Sequence, residues 1–208
     1  MIEVQGGSAP ALHENASPPS FFRGEAARPI VATLSSRLFS FDALRGDMYS
    51  VPMKTRAMQV LEKAGISYEV REFQEKSLGA EEVAEKLGIP LQQVFKTLVL
   101  RGDRAGVLLA CVPGTTTLSV RELARLSGNK KVEMVEKDEI HRLTGYLRGG
   151  VSPLGGKKGY PVFLDRSALD QPRLSVSAGM RGLQIFVAPK DLVRVSQATV
   201  GDIGDPTA

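Results

Sequence analysis

Several residue types that commonly carry chemistry are scarce in this chain of 208 residues. There is one cysteine, Cys111, and its neighbours are apolar, so no internal disulfide can form and a small buried residue is expected. The two histidines, His13 and His141, stand in no Cys, His or carboxylate spacing that matches a zinc site, and no Ser or Cys has an obvious base. We therefore expect no metal, no cofactor and no catalytic triad.

Long apolar runs are missing as well. None approaches the roughly 20 residues that cross a bilayer, and the first residues lack the basic start and apolar stretch of a signal peptide. These absences favour a cytoplasmic protein without a membrane partner. The chain is 42% hydrophobic, which is enough for one well-buried core.

The N-terminal part shows no sustained periodicity. Residues 1–52 are rich in Gly, Ser, Pro and Ala, and this composition predicts a disordered or loosely docked extension. A regular pattern begins at Met53, which is a candidate translation start. One folded domain is therefore expected over residues 53–208.

Positive charge is concentrated in one part of the chain. Residues 121–181 carry 12 Lys or Arg against 7 Asp or Glu, a balance of +5 that accounts for all of the net +4. Clustered basic residues are typical of a phosphate-binding surface. Helices near Glu122 and Asp138 resemble a helix-turn-helix in spacing, but their acidic residues and the strands around them disfavour a DNA partner.

Hydrophobic periodicity from residue 54 onward predicts alternating helices and strands. Helices are predicted in KTRAMQVLEKAG, in SLGAEEVAEKLG with Ser77 as its cap, in SVRELARLSG, in EKDEIHRLTG and in PKDLVRV. Strands are predicted in SYEVREF, VFKTLVL, GVLLACV, YPVFLD, RLSVSAG and LQIFVA. The strands VFKTLVL and GVLLACV should pair as a hairpin in the middle of the sheet. Because hairpins are too frequent for an all-parallel sheet, an α+β domain is expected.

A glycine-rich loop occupies residues 146–163, YLRGGVSPLGGKKGYPVF. Gly150 and Gly155 have the spacing of a P-loop, but Gly156 stands where lysine is required and a strand follows instead of a helix. A nucleotide-triphosphate site is therefore excluded. Two interpretations remain open: a plain connecting loop, or a cradle of backbone N–H groups and lysines for a phosphate-bearing ligand.

Two further positions also allow two interpretations each. Lys96 shares a strand face with Leu98 and Leu100. It either extends its ammonium to water at a strand end, where the charge discourages pairing with another strand, or serves as a cation at the mouth of a pocket. The segment SVSAGMRG is either an ordinary hairpin turn or a strand tip with free main-chain groups beside Ser177 and Arg181.

Taken in order, the segments VFKTLVL, KKVEM, TGYLRGGVSPLGGKKGYPVFLD and VSAGMRGLQI resemble the YbaK/EbsC family of aminoacyl-tRNA deacylases, relatives of the editing domain inserted in bacterial prolyl-tRNA synthetases. The resemblance covers about residues 54–203. It implies a mixed sheet with flanking helices and trans-editing of Cys-tRNA(Pro), in which the substrate thiol attacks its own ester and leaves as a thiolactone. The implied partners are aminoacylated tRNA(Pro) and, as a further candidate, prolyl-tRNA synthetase.

The resemblance also implies the site. Lys96 matches the family's lysine and would act near the ester, by binding phosphate or ribose or by a direct electrostatic effect. The implied substrate-binding residues are Thr97, Gly149, Gly150, Ser152, Pro153, Gly155, Ser177, Gly179 and Arg181. The chain departs from some members at Leu78, where they carry an aromatic, and at Gln184, where they carry an acid. Deacylation of Ala-tRNA(Pro) and a tRNA-end binding module with weak turnover therefore stay as alternatives.

Overall fold

A computed structural model of the chain describes residues 54–73 and 79–205. The predicted extension over residues 1–52, the candidate start Met53, Ser77 and the departure at Leu78 lie outside these described residues. The prediction that Ser77 caps the second helix is wrong, because that helix begins at Ala80 with Gly79 as its N-cap. No helix within them is long and apolar enough to cross a membrane.

The five predicted helices and six predicted strands are all confirmed. The helices are α1 (Arg56–Lys63), α2 (Ala80–Leu87), α3 (Val120–Leu126), α4 (Glu139–Thr144) and α5 (Pro189–Ser196). The strands predicted from the sequence are β1 (Glu69–Glu72), β2 (Phe95–Gly102), β3 (Gly106–Pro113), β6 (Val162–Asp165), β7 (Leu174–Ser177) and β8 (Leu183–Val187). Four strands of two or three residues were not predicted: β4 (Thr117–Leu118), β5 (Val132–Met134), β9 (Thr199–Gly201) and β10 (Gly204–Asp205).

Local sequence signals explain where the helices begin and end. The Thr55 hydroxyl accepts a hydrogen bond from the Met58 N–H at 3.3 Å and so caps α1. Helix α3 is capped in the same way, because the Ser119 hydroxyl accepts from the Glu122 N–H at 3.5 Å. Helix α2 ends at Gly88, whose φ of 62° is the left-handed conformation that glycine adopts at low cost.

The strands form a mixed sheet with smaller sheets beside it. The five-stranded sheet has the order β5-β2-β3-β6-β9, and the other described sheets have the orders β1-β8-β7 and β10-β4. Strands β2 and β3 pair antiparallel in the middle of the large sheet, as predicted, while β3–β6 and β6–β9 are parallel. The α+β fold class with flanking helices is therefore confirmed.

The two faces of the large sheet bury separate apolar clusters. Phe95 and Val99 of β2 point into the cluster that contains α1, β7 and β8, whereas Leu100 points into the cluster that contains Leu123 of α3. Because side chains alternate along a strand, Lys96 lies on the α3 side of the sheet, and Thr97 lies on the other side. Strand β2 thus carries these two neighbours on opposite faces.

Candidate functional site

A cavity of about 640 Å³ opens beside strand β2. Four of the predicted site residues line it, namely Lys96, Thr97, Gly149 and Ser177. They come from three separate segments of the chain, and the loop after α4 and the strand β7 bring the last two to β2. A volume in this range suits a small ligand or one end of a larger one.

The cavity lies where the edge of β2 has no neighbouring strand. Strand β5 pairs with β2 from Leu100 to Gly102, and at the other end one bridge joins Val94 to Ser175 of β7. In the described part of the chain, no strand covers the edge between these two contacts. The cavity is accordingly lined by every residue from 94 to 99.

Lys96 is held by a main-chain partner. Its ammonium donates to the Thr116 carbonyl oxygen at 2.7 Å. The segment after Thr116 is strand β4, which pairs with β10, and the Gly204 N–H of β10 donates at 2.7 Å to the buried carboxylate of Asp165. The turn that positions Lys96 is therefore tied to the core, and two N–H donors of the ammonium remain for a ligand.

The side chain of Thr97 is directed at a buried cysteine. Its hydroxyl lies 3.6 Å from Cys111 Sγ across the β2–β3 pair. Burial raises the pKa of the Cys111 thiol to about 12, and the hydrogen bond with Thr97 acts in the opposite direction without cancelling that rise. Cys111 is therefore a buried neutral thiol, as the sequence predicted.

The glycine-rich loop packs against the protein over much of its length. Gly155 has φ +69°, and a Cβ placed there would lie 2.6 Å from the Arg56 carbonyl carbon at the start of α1. A Cβ at Gly150 would lie 3.0 Å from the Arg181 backbone nitrogen. Ser152 is buried, and its hydroxyl accepts from the Leu154 N–H at 3.3 Å. At these positions bare backbone permits close packing within the protein.

The other predicted positions fall outside the first cavity. Pro153 and Gly155 line a second cavity of about 520 Å³, together with Lys158 and residues of α1 and α5. Arg181 is exposed, and its guanidinium donates to the Arg148 carbonyl oxygen at 2.7 Å. The loop thus lines both cavities, and of its predicted site residues Gly149 lines the first.

Tyr146 joins the glycine-rich loop to the turn after β7, a role that sequence reasoning missed. Its hydroxyl donates to the Leu154 carbonyl oxygen at 2.6 Å, and its ring lies so close to Gly179 that a Cβ there would be 2.6 Å from the ring. Burial raises the pKa of Tyr146 to about 12, partly offset by the charge of Arg56. The Gly179 N–H donates to the Ser177 hydroxyl at 3.2 Å, which orients this hydroxyl beside the cavity.

Two exposed basic side chains stand at the cavity. Lys137 and Arg148 line it and are exposed, and no ion pair between described residues involves either of them. Glu136 is the one acidic residue among the described lining residues. Several arginines elsewhere in the described part of the chain do have a carboxylate partner, as in Arg71–Glu69, Arg101–Glu139, Arg125–Glu122, Arg166–Asp202 and Arg194–Asp191. The cavity therefore has a basic environment that favours an anionic ligand.

Two lining residues extend the predicted site. Phe73, directly after β1, supplies an aromatic side chain, and the only sequence signal for it was its place at the end of SYEVREF. Gln184 of β8 also lines the cavity, and the Ser175 hydroxyl donates to its Oε1 at 3.2 Å. Within the described residues, no group of three His, Cys, Asp or Glu side chains could hold a metal ion.

The comparisons with known proteins agree with one another. The aminoacyl-tRNA editing domain family matches residues 74–195. A protein of Enterococcus faecalis (strain ATCC 700802 / V583), provisionally named Cys-tRNA(Pro)/Cys-tRNA(Cys) deacylase EbsC, is 42% identical over 152 residues, which cover 72% of this chain and 93% of that protein. The crystal structure of a protein provisionally described as a trans-editing enzyme for prolyl tRNA synthetase has a TM-score of 0.67 and 29% identity, covering 72% of this chain and 95% of that one.

A shorter match links the chain to a synthetase. The proline–tRNA ligase of Thermosipho africanus (strain TCF52B) is 36% identical over 78 residues, which are 38% of this chain and 14% of that enzyme. The match to the editing family, in contrast, spans more than half of this chain. The resemblance found in the sequence is therefore confirmed, and this chain belongs to the aminoacyl-tRNA editing domain family.

Proposed function

We propose that this protein hydrolyses the ester of mischarged Cys-tRNA(Pro) as a trans-editing deacylase. The observation that carries the proposal is the meeting of Lys96, Thr97, Gly149 and Ser177 at one cavity of about 640 Å³. A cavity of this size suits the aminoacyl ester and part of the terminal nucleoside. Lys137 and Arg148 line it and form no ion pair with another described residue, so they would attract the phosphates of the tRNA end.

Relatives support the substrate class. The E. faecalis relative carries Cys-tRNA(Pro) and Cys-tRNA(Cys) in its name, and a solved relative is described in connection with prolyl tRNA synthetase. The natural substrate of the proposed reaction is therefore a cysteinyl ester on tRNA(Pro). Prolyl-tRNA synthetase, the enzyme that would make the error, is the proposed protein partner.

The proposed chemistry uses the substrate's own thiol. The cysteinyl sulfur attacks the ester carbonyl carbon, the bond from this carbon to the ribose oxygen breaks, and the thiol proton passes to that oxygen. Water then opens the released thiolactone to cysteine. The protein's contribution is to hold the thiol, the carbonyl and the ribose in a reactive arrangement, which can supply a large part of the rate enhancement.

Lys96 has the central electrostatic role in this proposal. Its ammonium is fixed by Thr116 and offers two further donors to a phosphate, to ribose or to the carbonyl oxygen that gains negative charge. A charged hydrogen bond contributes about 1.5–3 kcal/mol, so Lys96→Ala should lower kcat/KM by roughly 10- to 150-fold. Lys190→Ala, which removes an exposed lysine on α5, is the matched control and should change kcat/KM little.

The experiment compares tRNA(Pro) charged with cysteine, serine, alanine or proline, using the full chain and both lysine variants. Selective release of cysteine that is lost in Lys96→Ala supports the proposal. The seryl ester differs by one oxygen in place of sulfur, so equal rates for seryl and cysteinyl esters would contradict the thiol step. Preferred release of alanine would identify a deacylase of Ala-tRNA(Pro). If the folded full chain cleaves none of these esters, the remaining interpretation is a module that binds the tRNA end.

A further inference from the structure

The open edge of β2 presents main-chain groups to the cavity. The Val99 carbonyl oxygen accepts from the Val135 N–H at 3.1 Å, on the edge that faces β5. The Val94 carbonyl oxygen accepts from the Gly114 N–H at 2.7 Å, on the edge that faces β3. Because the polar groups of successive residues alternate between the two edges, the N–H and C=O of Thr97 point to the same edge as those of Val99.

The pairing of Thr97 with β3 agrees with this direction. Thr97 lies opposite Cys111, and their side-chain atoms approach to 3.6 Å. Side chains are closest in those antiparallel pairs that do not exchange main-chain hydrogen bonds. The Thr97 hydroxyl is therefore turned to Cys111, while the main-chain N–H and C=O of Thr97 are directed to the cavity side.

Among the described residues, none pairs with the N–H and C=O that Thr97 directs to the cavity side. A free donor and a free acceptor on one half-buried residue favour a particular ligand. Main-chain groups left without a partner in a partly enclosed site are costly, and an uncovered strand edge is a template for a further strand. An antiparallel partner residue would give its N–H to the Thr97 C=O and accept the Thr97 N–H with its own C=O. One amino acid carries both groups at the required spacing.

We propose that the aminoacyl group of the substrate pairs with the main chain of Thr97 as a one-residue strand. The inference rests on the proposed function, since it takes the ligand to be an aminoacyl ester. The α-ammonium donates to the Thr97 carbonyl oxygen, and the ester carbonyl oxygen accepts from the Thr97 N–H. The second bond strengthens as that oxygen gains negative charge, so Thr97 would assist the reaction as well as bind its substrate.

This pairing selects for a class of ligand. It recognises an α-amino group next to a carbonyl, which every aminoacyl ester has, and it places the side chain of the amino acid to one face of the strand. Discrimination among amino acids would then fall to the walls of the cavity, which include Ser177 and Gln184. The main chain of β2 would supply the part of the affinity that all aminoacyl groups share.

Amide hydrogen exchange of the full chain, measured by NMR, tests the pairing without turnover. The probe is 3′-deoxy-3′-(cysteinylamino)adenosine, an amide that keeps the α-amino group and the carbonyl but resists hydrolysis. In the free protein the Thr97 N–H should exchange faster than the Leu98 N–H, which faces β3. Saturation with the probe should slow exchange at Thr97 by about tenfold or more, whereas adenosine alone should leave it unchanged.

A second variant separates the main-chain acceptor from Glu136, the acid that lines the same cavity. The unsubstituted chain and the Glu136→Gln variant are compared. For each, the affinity for the probe and the affinity for an analogue of the probe without the α-amino group are measured. If Thr97 holds the α-ammonium, the preference for the probe persists in Glu136→Gln. Loss of the preference in this variant would assign the ammonium to Glu136 and overturn this half of the pairing.

The outcomes distinguish this inference from the proposed function. Protection of Thr97 by the probe, in a protein that cleaves no ester, would support the pairing and refute the deacylase. Ester cleavage with unchanged exchange at Thr97 in the saturated complex would support the deacylase and refute the pairing. Failure of the probe to bind at all would count against both.

Discussion

Replacing Gly155 by alanine tests whether the glycine-rich loop is built for packing at this position. Gly155 has φ +69°, and a Cβ there would lie 2.6 Å from the Arg56 carbonyl carbon and 2.8 Å from the Ala57 nitrogen. Both atoms belong to the main chain at the start of α1, so no side-chain rotation can relieve the contact. The loop or the helix must shift.

The expected loss of stability has two parts, and substitution of a second glycine allows them to be measured separately. Alanine at a left-handed position costs about 1–2 kcal/mol, and forcing a group into a packed interior costs a further 1–3 kcal/mol or so. Gly128, just after α3, also has φ +69°, but a Cβ there would meet nothing within 4 Å. Gly128→Ala should therefore show the first part alone, and the effect of alanine on the unfolded chain is similar in both variants.

The assay is urea unfolding of the full chain and the two variants, followed by circular dichroism. Gly155→Ala should reduce the free energy of unfolding by about 1–3 kcal/mol more than Gly128→Ala, with similar m-values. Equal destabilisation by both substitutions would refute the reasoning, because the loop would then not rest on α1 and its bare backbone would be available for another purpose.

Two further predictions concern buried and ion-paired groups. With a pKa of about 12, Cys111 is thiolate in only about one molecule in ten thousand at pH 8, so iodoacetamide should modify it only under unfolding conditions. For Glu69, burial works to raise the pKa, but hydrogen bonds from Arg71 and Arg173 outweigh it and lower the pKa. The carboxylate therefore stabilises the fold above its unfolded pKa, and this contribution disappears as pH falls through the lower folded value. Glu69→Gln should cost about 1–3 kcal/mol at pH 7 and much less at pH 3, by urea unfolding at each pH.

The sequence predicted those helices and strands whose own residues show a recognisable pattern. Helix α2 ends where Gly88 adopts a left-handed conformation, and the β2–β3 hairpin follows from two apolar runs joined by a short turn. Strands β5 and β9 have three residues each, too few to show alternation. They exist because partners distant in sequence hold them, and the parallel pairing of β6 with β9 is such a contact.

The predicted site residues do not all meet at one cavity, and the reason is physical. The family resemblance named Lys96 and Ser177, and the fold brings both to the cavity. It also named Gly155, which packs on α1 instead. A glycine needed for close packing and a glycine needed for close approach of a ligand look identical in a sequence, because both are positions where a Cβ would collide. The partner that would collide is known only once the fold is described.

The charges around the cavity bear on how an aminoacyl group can be held there. Lys96, Lys137 and Arg148 line it against Glu136, so an α-ammonium enters a region that already repels cations. Some YbaK/EbsC members carry an acid where this chain has Gln184, and that acid would offset the repulsion. Gln184 offers a neutral amide, whose Oε1 already accepts from the Ser175 hydroxyl at 3.2 Å. A main-chain carbonyl on β2 can accept the ammonium without adding negative charge, while the cations remain available for phosphate. Affinity at this site would then depend on the tRNA end and on the strand edge more than on an ion pair with the amino acid.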